Sequence, residues 1–462
     1  MKADPVRRLA HGILLAVEEG QPLDRVLAEG LDLTTDPRDR AFLAELVKGT
    51  VQWQGRYDHL IQVFSRKKTP VDSPTVTLLR MSLHQMIGQQ TVPAYAAIHQ
   101  AGELCRLSPG KRKLPFVNGL LQSVKREVLE KGQVGSADPV ARENNLRPFF
   151  EMPGSDRCAE LAAWQSHPAW LVRKWADQFG WEKTEAICSW NNRPVPLVFH
   201  VLAPVDPASA AGKLEEAGCP VTAGVSARAL VADHRIGRDV LDEILARFSW
   251  LIVQDPTVQQ ATAWLAGVVP VTASAGSLPV LDMCAAPGGK TAFLAANWPS
   301  SGRIVAMDIH PERIGLLAAT MKRIETHRVD VLLADGNQVP FNPEKFGAVL
   351  LDGPCSGTGV LRHHPEGRWR LNRGVPARKA AALARLAGQA ADLLAPGGLL
   401  MYATCSVEPE ENEQVVERLL ADRPDLEACP DGEGRWRRLW LPGEFSGDGF
   451  FAARLRKMRK KG

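Results

Sequence analysis

The chain has 462 residues, of which 45% are hydrophobic and 23% charged. That length exceeds what one hydrophobic core organises and implies about two to four domains, while the composition excludes wholesale disorder. A formal net charge of +4 and a pI near 8.6 tolerate a polyanionic partner without establishing one, because the distribution of charge matters more than its sum.

Basic residues cluster at Arg66-Lys67-Lys68, at Lys111-Arg112-Lys113 with Lys125-Arg126, and from Arg454 to Lys461. Each cluster taken alone reads as a solvated face. Eight cysteines (105, 158, 188, 219, 284, 355, 405 and 429) are scattered with neither a CxxC pair nor metal-ligand spacing, so no metal is expected. The start, Met1-Lys2-Ala3-Asp4-Pro5, leads into a charged helical pattern rather than an export segment. No run approaches the roughly 18 apolar residues of a membrane span. A cytoplasmic chain with reduced thiols and no membrane partner is expected.

In chain order, residues 1–130 read as helical. Leu9, Ile13, Leu14 and Val17 recur at helical spacing, as do Phe42, Leu43, Leu46 and Val47, the latter preceded by Pro37 and Asp39-Arg40. Segments 76–87, 94–107 and 116–128 continue the pattern. About five such helices make a small bundle. Glycines and prolines mark residues 131–160 as a linker, with Phe149-Phe150 expected to rest against the protein. Residues 161–262 read as a small mixed α/β domain: a short helix around Trp170 to Trp175, a strand at 195–202, a helix at 208–217 and extended pieces within 221–231.

Residues 263–462 form the last domain, with an α/β rhythm from 278 onward. Strands are expected at 279–283, 303–308, 329–333, 347–351 and 398–404, and helices at 289–296, 312–322 and 380–394. This alternation calls for a mostly parallel, doubly wound, Rossmann-like sheet, which binds ligands outside the carboxyl ends of its strands.

The motifs fall at those ends. Cys284-Ala285-Ala286-Pro287-Gly288-Gly289-Lys290 joins a strand to a helix, and its paired glycines permit a tight turn and close approach of a ligand. The loop lacks GxGxxG. Gly289-Lys290-Thr291 ends like a phosphate loop, but Cys284 stands where the first glycine belongs. Asp308 ends the next strand, where a carboxylate can accept both ribose hydroxyls, and Asp335 follows the third, where it can receive an adenine amine. Each aspartate alone reads equally as a cap or turn residue. Together the three strand ends fit an adenosyl cofactor without a polyphosphate.

Asp352-Gly353-Pro354-Cys355 follows the fourth strand and Thr404-Cys405-Ser406 another. Two cysteines leaving one sheet edge can converge, whereas Cys284 reads better as a core cysteine. Thiolate addition to carbon 6 of a cytosine makes carbon 5 nucleophilic enough to accept methyl from a sulfonium. A base then removes the carbon 5 proton and the thiolate leaves. Asp352 is suited to hydrogen-bond or protonate the N3 and N4 edge.

These motifs resemble the bacterial 16S ribosomal RNA cytosine-5 methyltransferases of the Sun/Fmu type, within the NOL1/NOP2/Sun family. The resemblance spans nearly the whole chain and is strongest in CAAPGGK at 284–290, in Asp352-Gly353-Pro354-Cys355 with SGTGV, and in ATCSVEPEENE at 403–413. Arg362-His363-His364-Pro365 with Trp369 looks like the family's substrate-side loop, and 447–451 like its closing strand. The family usually has Asp-Ala-Pro-Cys, so Gly353 is a departure. Where many relatives carry Arg-x-Asn, this chain has Phe199-His200-Val201.

The resemblance implies S-adenosyl-L-methionine bound by residues 284–290, Asp308, Asp335 and Asp352. It implies Cys405 as nucleophile and Cys355 as the residue assisting product release; the residues alone do not choose between the two cysteines. Lys290 would order the active site or contact substrate. Residues 1–130 resemble a NusB-like helical RNA-binding domain through Asp39-Arg40, 47–50, Leu79-Arg80, Val92-Pro93 and Val117-Asn118, which gives the N-terminal basic clusters a role as phosphate contacts. The middle region resembles the family's connecting segment through Asn192-Arg193-Pro194, Val253-Gln254-Asp255 and Gln259. Ribosomal RNA, or a partly assembled small subunit, is the expected partner of a monomeric enzyme. Methylation of tRNA or another ribosomal site, and a non-catalytic RNA-binding assembly factor, are the alternatives. A DNA methyltransferase is disfavoured, because the N-terminal bundle and Cys405 both resemble RNA enzymes.

Overall fold

The computed structural model describes residues 3–65, 72–89, 91–107, 113–135, 138–151, 154, 156–233, 236–267, 278–298 and 302–459. The chain divides into two compact units, Met1–Asn192 with His363–Leu371, and Arg193–Arg362 with Asn372–Gly462. Among the described residues no helix is long and apolar enough to cross a membrane. Arg66-Lys67-Lys68, Lys111-Arg112 and Lys460-Lys461 lie outside the described residues.

The first unit is helical. Pro5–Glu18, Pro37–Gln52, Ser73–Leu83, Ala94–Leu107 and Leu114–Val124 correspond to the five expected segments. Leu23–Asp32 and Gln54–Phe64 are two further helices. Pro37 opens its helix rather than preceding it, with Asp36 accepting the Arg38 and Asp39 amides. The same Asp-Pro start recurs at Asp4, Asp138, Asp206 and Asp255. The aspartate satisfies an orphan N–H while proline supplies a fixed φ where no donor is needed, and such a cap stabilises by about 0.5–2 kcal/mol.

Several residues of the NusB-like pattern have packing roles. A Cβ on Gly49 would lie 2.2 Å from the His84 ring, so only glycine admits that buried imidazole, which hydrogen-bonds Tyr57 Oη at 2.8 Å. Arg40 donates to the carbonyls of Leu31 and Thr34 at the end of the preceding helix. Arg80 pairs with Asp58 and Glu18. Of the expected phosphate contacts, Lys113, Lys125 and Arg126 sit in ion pairs with Asp72, Glu130 and Glu127.

Within the linker region, Pro139–Leu146 and Arg157–Trp164 are helical, and Phe150 joins the helical core as expected. Helices Ala169–Phe179 and Trp181–Trp190, read from sequence as part of the mixed domain, belong to this unit. So does the later segment 363–371. Arg368 is fully buried there, donating to the Ser166 and Asn191 carbonyls and to Asn192 Oδ1, and Trp369 Nε1 donates to the Val51 carbonyl. The segment resembling a substrate-side loop thus places these two side chains in the helical unit's own packing.

The second unit begins with a four-stranded antiparallel sheet: β1 (Val198–Val201), β2 (Val221–Ala223), β3 (Ala229–Ala232) and β4 (Leu251–Val253), in the order β2-β3-β1-β4. Helices Pro207–Glu216 and Arg238–Arg247 bury Leu214 and Ile244 against Phe199 and Val201, a ferredoxin-like arrangement.

An eight-stranded sheet follows. β5 (Val280–Asp282), β6 (Ile304–Asp308), β7 (Val329–Leu333), β8 (Phe346–Asp352) and β9 (Leu394–Thr404) run parallel. β10 (Leu426–Ala428), β11 (Arg437–Trp440) and β12 (Phe450–Lys457) are antiparallel additions, giving β10-β12-β9-β8-β5-β6-β7 with β11 also on β12. β8 and β9 are buried almost throughout, as strands covered on both faces must be. The helices Gly289–Asn297, Pro311–Arg323 and Val375–Leu393 match the expected ones. Of the basic run from Arg454, two members do not form a solvated face, whereas Arg459 is exposed. Arg454 and Lys457 are buried in β12, Arg454 donating to the Trp264 carbonyl with its guanidinium 4.2 Å from that indole.

Candidate active site

The carboxyl ends of β5, β6, β8 and β9 carry the site. Past β5 the chain turns through Gly288, whose φ of +109° is costly for any residue with a side chain. A Cβ there would also lie 2.9 Å from Leu317 Cδ1. The turn lets Gly289–Asn297 start beside a cleft of about 160 Å³. Cys284, Ala285, Ala286, Pro287, Gly289, Lys290 and Asp352 line it, together with Asp282, Val253, Gln254 and Val258. Cys284, expected in the core, is only partly buried and faces this cleft; burial and the Asp282 charge push its thiol up.

On the neighbouring strand Asp308 is 3% exposed and receives the His310 amide on Oδ1. Its Oδ2 has no hydrogen-bond donor; Arg313 Nη1 lies 3.3 Å away in an ion pair without hydrogen-bond alignment. A buried acceptor with spare capacity next to a glycine-built turn fits a ribose diol. Asp335 differs. Its carboxylate accepts the Asn337 amide and side-chain Nδ2, an arrangement that holds it below the usual range. It serves here as a turn residue, both bonds falling on Oδ1.

Lys290 reaches from the loop to Asp352, Nζ to Oδ2 at 2.6 Å. Burial alone would depress this ammonium; the Asp352 charge and hydrogen bond, with Cys405 and Asp282 contributing, outweigh it and raise it above its ordinary value. Asp282 is completely buried, accepts from Thr291 Oγ1 at 2.7 Å, and is pushed up to about 7 by burial.

Cys355 Sγ and Cys405 Sγ lie 3.2 Å apart. The loops carrying them are laced together. The Gly359 amide donates to the Cys405 carbonyl at 3.0 Å and the Gly449 amide to the Gly359 carbonyl at 2.8 Å. A Cβ on Gly359 would lie 2.3 Å from Gly449 O, so glycine is required for this approach. The hydrogen bond with Cys405, burial, and the charges of Cys405 and Glu411 push the Cys355 thiol well up. At neutral pH it keeps its proton.

Residues 273–456 match the family model described as 16S rRNA methyltransferase RsmB/F, 4–126 the NusB family, and 167–235 the RsmF/B-like ferredoxin-like domain. Over its whole length the chain is 30% identical to the probable ribosomal RNA small subunit methyltransferase B of Bacillus subtilis, covering all of that protein. The chain belongs to the RsmB/F family of 16S rRNA methyltransferases. The ribosomal RNA small subunit methyltransferase B of an Escherichia coli strain is 29% identical, with 97% of each chain covered. The crystal structure of PH0851 shares the fold with a TM-score of 0.74 at 24% identity, over 98% of each chain. RsmB/F enzymes take their methyl group from S-adenosylmethionine.

Two residues beside the RsmB/F motifs, Asp282 and Arg313, were not among the residues expected from sequence. Asp282 ends its strand as Asp308 and Asp352 end theirs, so the same signal could have found it. Arg313 braces the cofactor loop by donating to the Ala286 carbonyl at 2.5 Å. His200, in the departure from Arg-x-Asn, hydrogen-bonds Gln254 Oε1 at 2.9 Å and packs edge-on to Phe293, while Phe199 and Val201 point into the small sheet's core. Burial pushes His200 down to about 4, so it is neutral at physiological pH.

Proposed function

We propose that this chain methylates carbon 5 of a cytosine in 16S rRNA through a covalent adduct between Cys405 and carbon 6. The observation that carries the reading is the pair of strand-end sulfurs 3.2 Å apart, on the same sheet edge as the Lys290–Asp352 pair and the cofactor loop.

The Cys405 thiolate adds to carbon 6, and the Asp352–Lys290 pair supplies the hydrogen bond or proton that neutralises charge at the N3 and N4 edge. S-adenosylmethionine, held by residues 284–290, Asp308, Asp335 and Asp352, supplies an electrophilic methyl carbon for the activated carbon 5. A base then takes the carbon 5 proton and the carbon 6–sulfur bond breaks. Cys355, a protonated thiol in hydrogen-bond contact with the departing sulfur, stabilises it as a leaving group. The enzyme acts in the cytoplasm as a monomer on ribosomal RNA or a partly assembled small subunit.

Transfer of labelled methyl from S-adenosylmethionine to unmodified 16S rRNA, mapped by resistance of the product to bisulfite deamination, tests the reading. We expect 5-methylcytosine from the parent, none from Cys405→Ala, and a detergent-stable protein–RNA adduct from Cys355→Ala. Methyl on a ribose or exocyclic nitrogen, or normal turnover by Cys405→Ala, would overturn it. RNA binding without any methyl transfer would point to an assembly factor.

A further inference from the structure

We infer that Glu411 and Asn412, which follow the second cysteine motif, are positioning residues that set the separation of the two sulfurs. The inference rests on the catalytic reading above for its consequence, though not for its geometry.

Cys405 leaves β9 between Thr404 and Ser406, and both neighbours are held by Asn412. Thr404 Oγ1 donates to Asn412 Oδ1 at 2.5 Å, and Asn412 Nδ2 donates to the Ser406 carbonyl at 2.9 Å. Cys405 is thus fixed on both sides by one amide. Glu411 joins this loop to the other. Its Oε1 accepts the Ser356 amide at 2.7 Å, and its Oε2 accepts Ser356 Oγ at 2.6 Å and Ser406 Oγ. Ser356 follows Cys355 and Ser406 follows Cys405, so one carboxylate grips the residue after each sulfur.

Both side chains are fully buried, as are Thr404 and Ser406. Burial pushes the Glu411 carboxyl above its ordinary value, and the hydrogen bonds from Ser356 and Ser406 offset part of that cost. A carboxylate suits this position because its two oxygens accept several hydrogen bonds with rigid geometry. The loops also meet through Thr358, which contacts Ser406 Oγ and accepts the Val407 amide. Ser356 Oγ also lies 3.2 Å from Ser406 Oγ, so removing Glu411 loosens the Cys355 side, taking away the acceptor of both the Ser356 amide and its hydroxyl.

A thiol-bridging probe reads the separation independently of catalysis. Phenylarsine oxide joins two thiols as both sulfurs bond to arsenic(III), their protons leaving with the oxide oxygen as water. Apart from Cys284, the other described cysteines are buried, and Cys405→Ala serves as control. We expect the parent to bind the arsenical at this pair and Glu411→Ala to bind it about tenfold or more weakly. Its kcat should fall about a hundredfold, the cost of a displacement near 1 Å, with S-adenosylhomocysteine affinity retained. Glu411→Gln, which keeps one acceptor oxygen, should recover part of both losses. Asn412→Asp, which sets a carboxylate against the Ser406 carbonyl, should lose both.

A folded Glu411→Ala protein with parental arsenical affinity and kcat would overturn the inference. If that variant fails to fold, parental values in both Glu411→Gln and Asn412→Asp would do so. A parent that binds the arsenical but methylates nothing would instead defeat the catalytic reading.

Discussion

Gly353 stands where the family usually has alanine, and its surroundings predict what restoring alanine would do. The residue is not among those with positive φ, so its backbone accepts a side chain. The obstacle is Leu383, fully buried on the helix Val375–Leu393, whose Cδ2 would lie 2.2 Å from the new Cβ. Ordinary carbon contacts begin near 3.5 Å, so Leu383 would have to retreat by roughly 1.3 Å within a packed core. Overpacking of this kind costs about 1–3 kcal/mol. Alanine recovers about 0.4–1 kcal/mol by restricting the unfolded chain, leaving Gly353→Ala destabilised by roughly 0.5–2 kcal/mol. Leu383→Ala alone should cost about 2–5 kcal/mol through the cavity it opens. In the double variant each change relieves the other, for a favourable coupling of about 1–2 kcal/mol. Urea-dependent hydrogen exchange of β8 and helix 375–393 peptides, measured on all four proteins, reads these differences locally and avoids assuming two-state unfolding of a multidomain chain. Additive effects, or a Gly353→Ala protein as stable as the parent, would refute the steric argument.

Gly288→Ala should weaken S-adenosylhomocysteine binding about tenfold or more, since the φ of +109° stores about 1–3 kcal/mol of strain for alanine; calorimetry showing parental affinity would contradict this. Neutral His200 makes stability pH-dependent. Its pKa falls from 6.5 unfolded to about 4 folded, so its contribution is complete above pH 6.5 and is lost as pH falls towards 4, by about 3 kcal/mol at most. His200→Gln should flatten the stability profile across that window, and an unchanged slope would refute the assignment. Lys290→Met should lower the melting temperature by leaving Asp352 without its partner, a loss below the roughly 3–5 kcal/mol of fully buried pairs because both side chains retain some exposure. Adding Asp352→Asn should restore the melting temperature but not methyl transfer.

The sheet and its strand-end motifs were legible because parallel strands impose a rhythm, and chemistry-bearing residues collect where those strands end. Cys355 and Cys405 are 50 residues apart in sequence, yet each follows a strand of the same sheet, and that sufficed to bring them together. The helix Leu23–Asp32 was harder to see, since its buried stripe of Leu23, Val26 and Leu27 takes Gly30 as its fourth member. Gln54–Phe64 hides behind Arg56, a buried charge held between the Trp53 and Trp164 rings and paired with Glu143, 87 residues away. Arg454 and Lys457 read as a basic tail by composition alone, although the run Phe450-Phe451-Ala452-Ala453 already marked a buried strand. Glu411 lay inside a recognised motif, but its role depends on Ser356, 55 positions upstream, and no local pattern reveals that.

The helical unit is discontinuous in sequence, since it takes in residues 363–371. During synthesis from the N-terminus, the carbonyls of Ser166 and Asn191 emerge long before the guanidinium that they receive. At about 5–20 residues per second, translation needs on the order of 10–35 s to extend from residue 192 to residue 371. For that interval the nascent N-terminal bundle waits incomplete, and a truncated chain ending near residue 192 would remain so permanently.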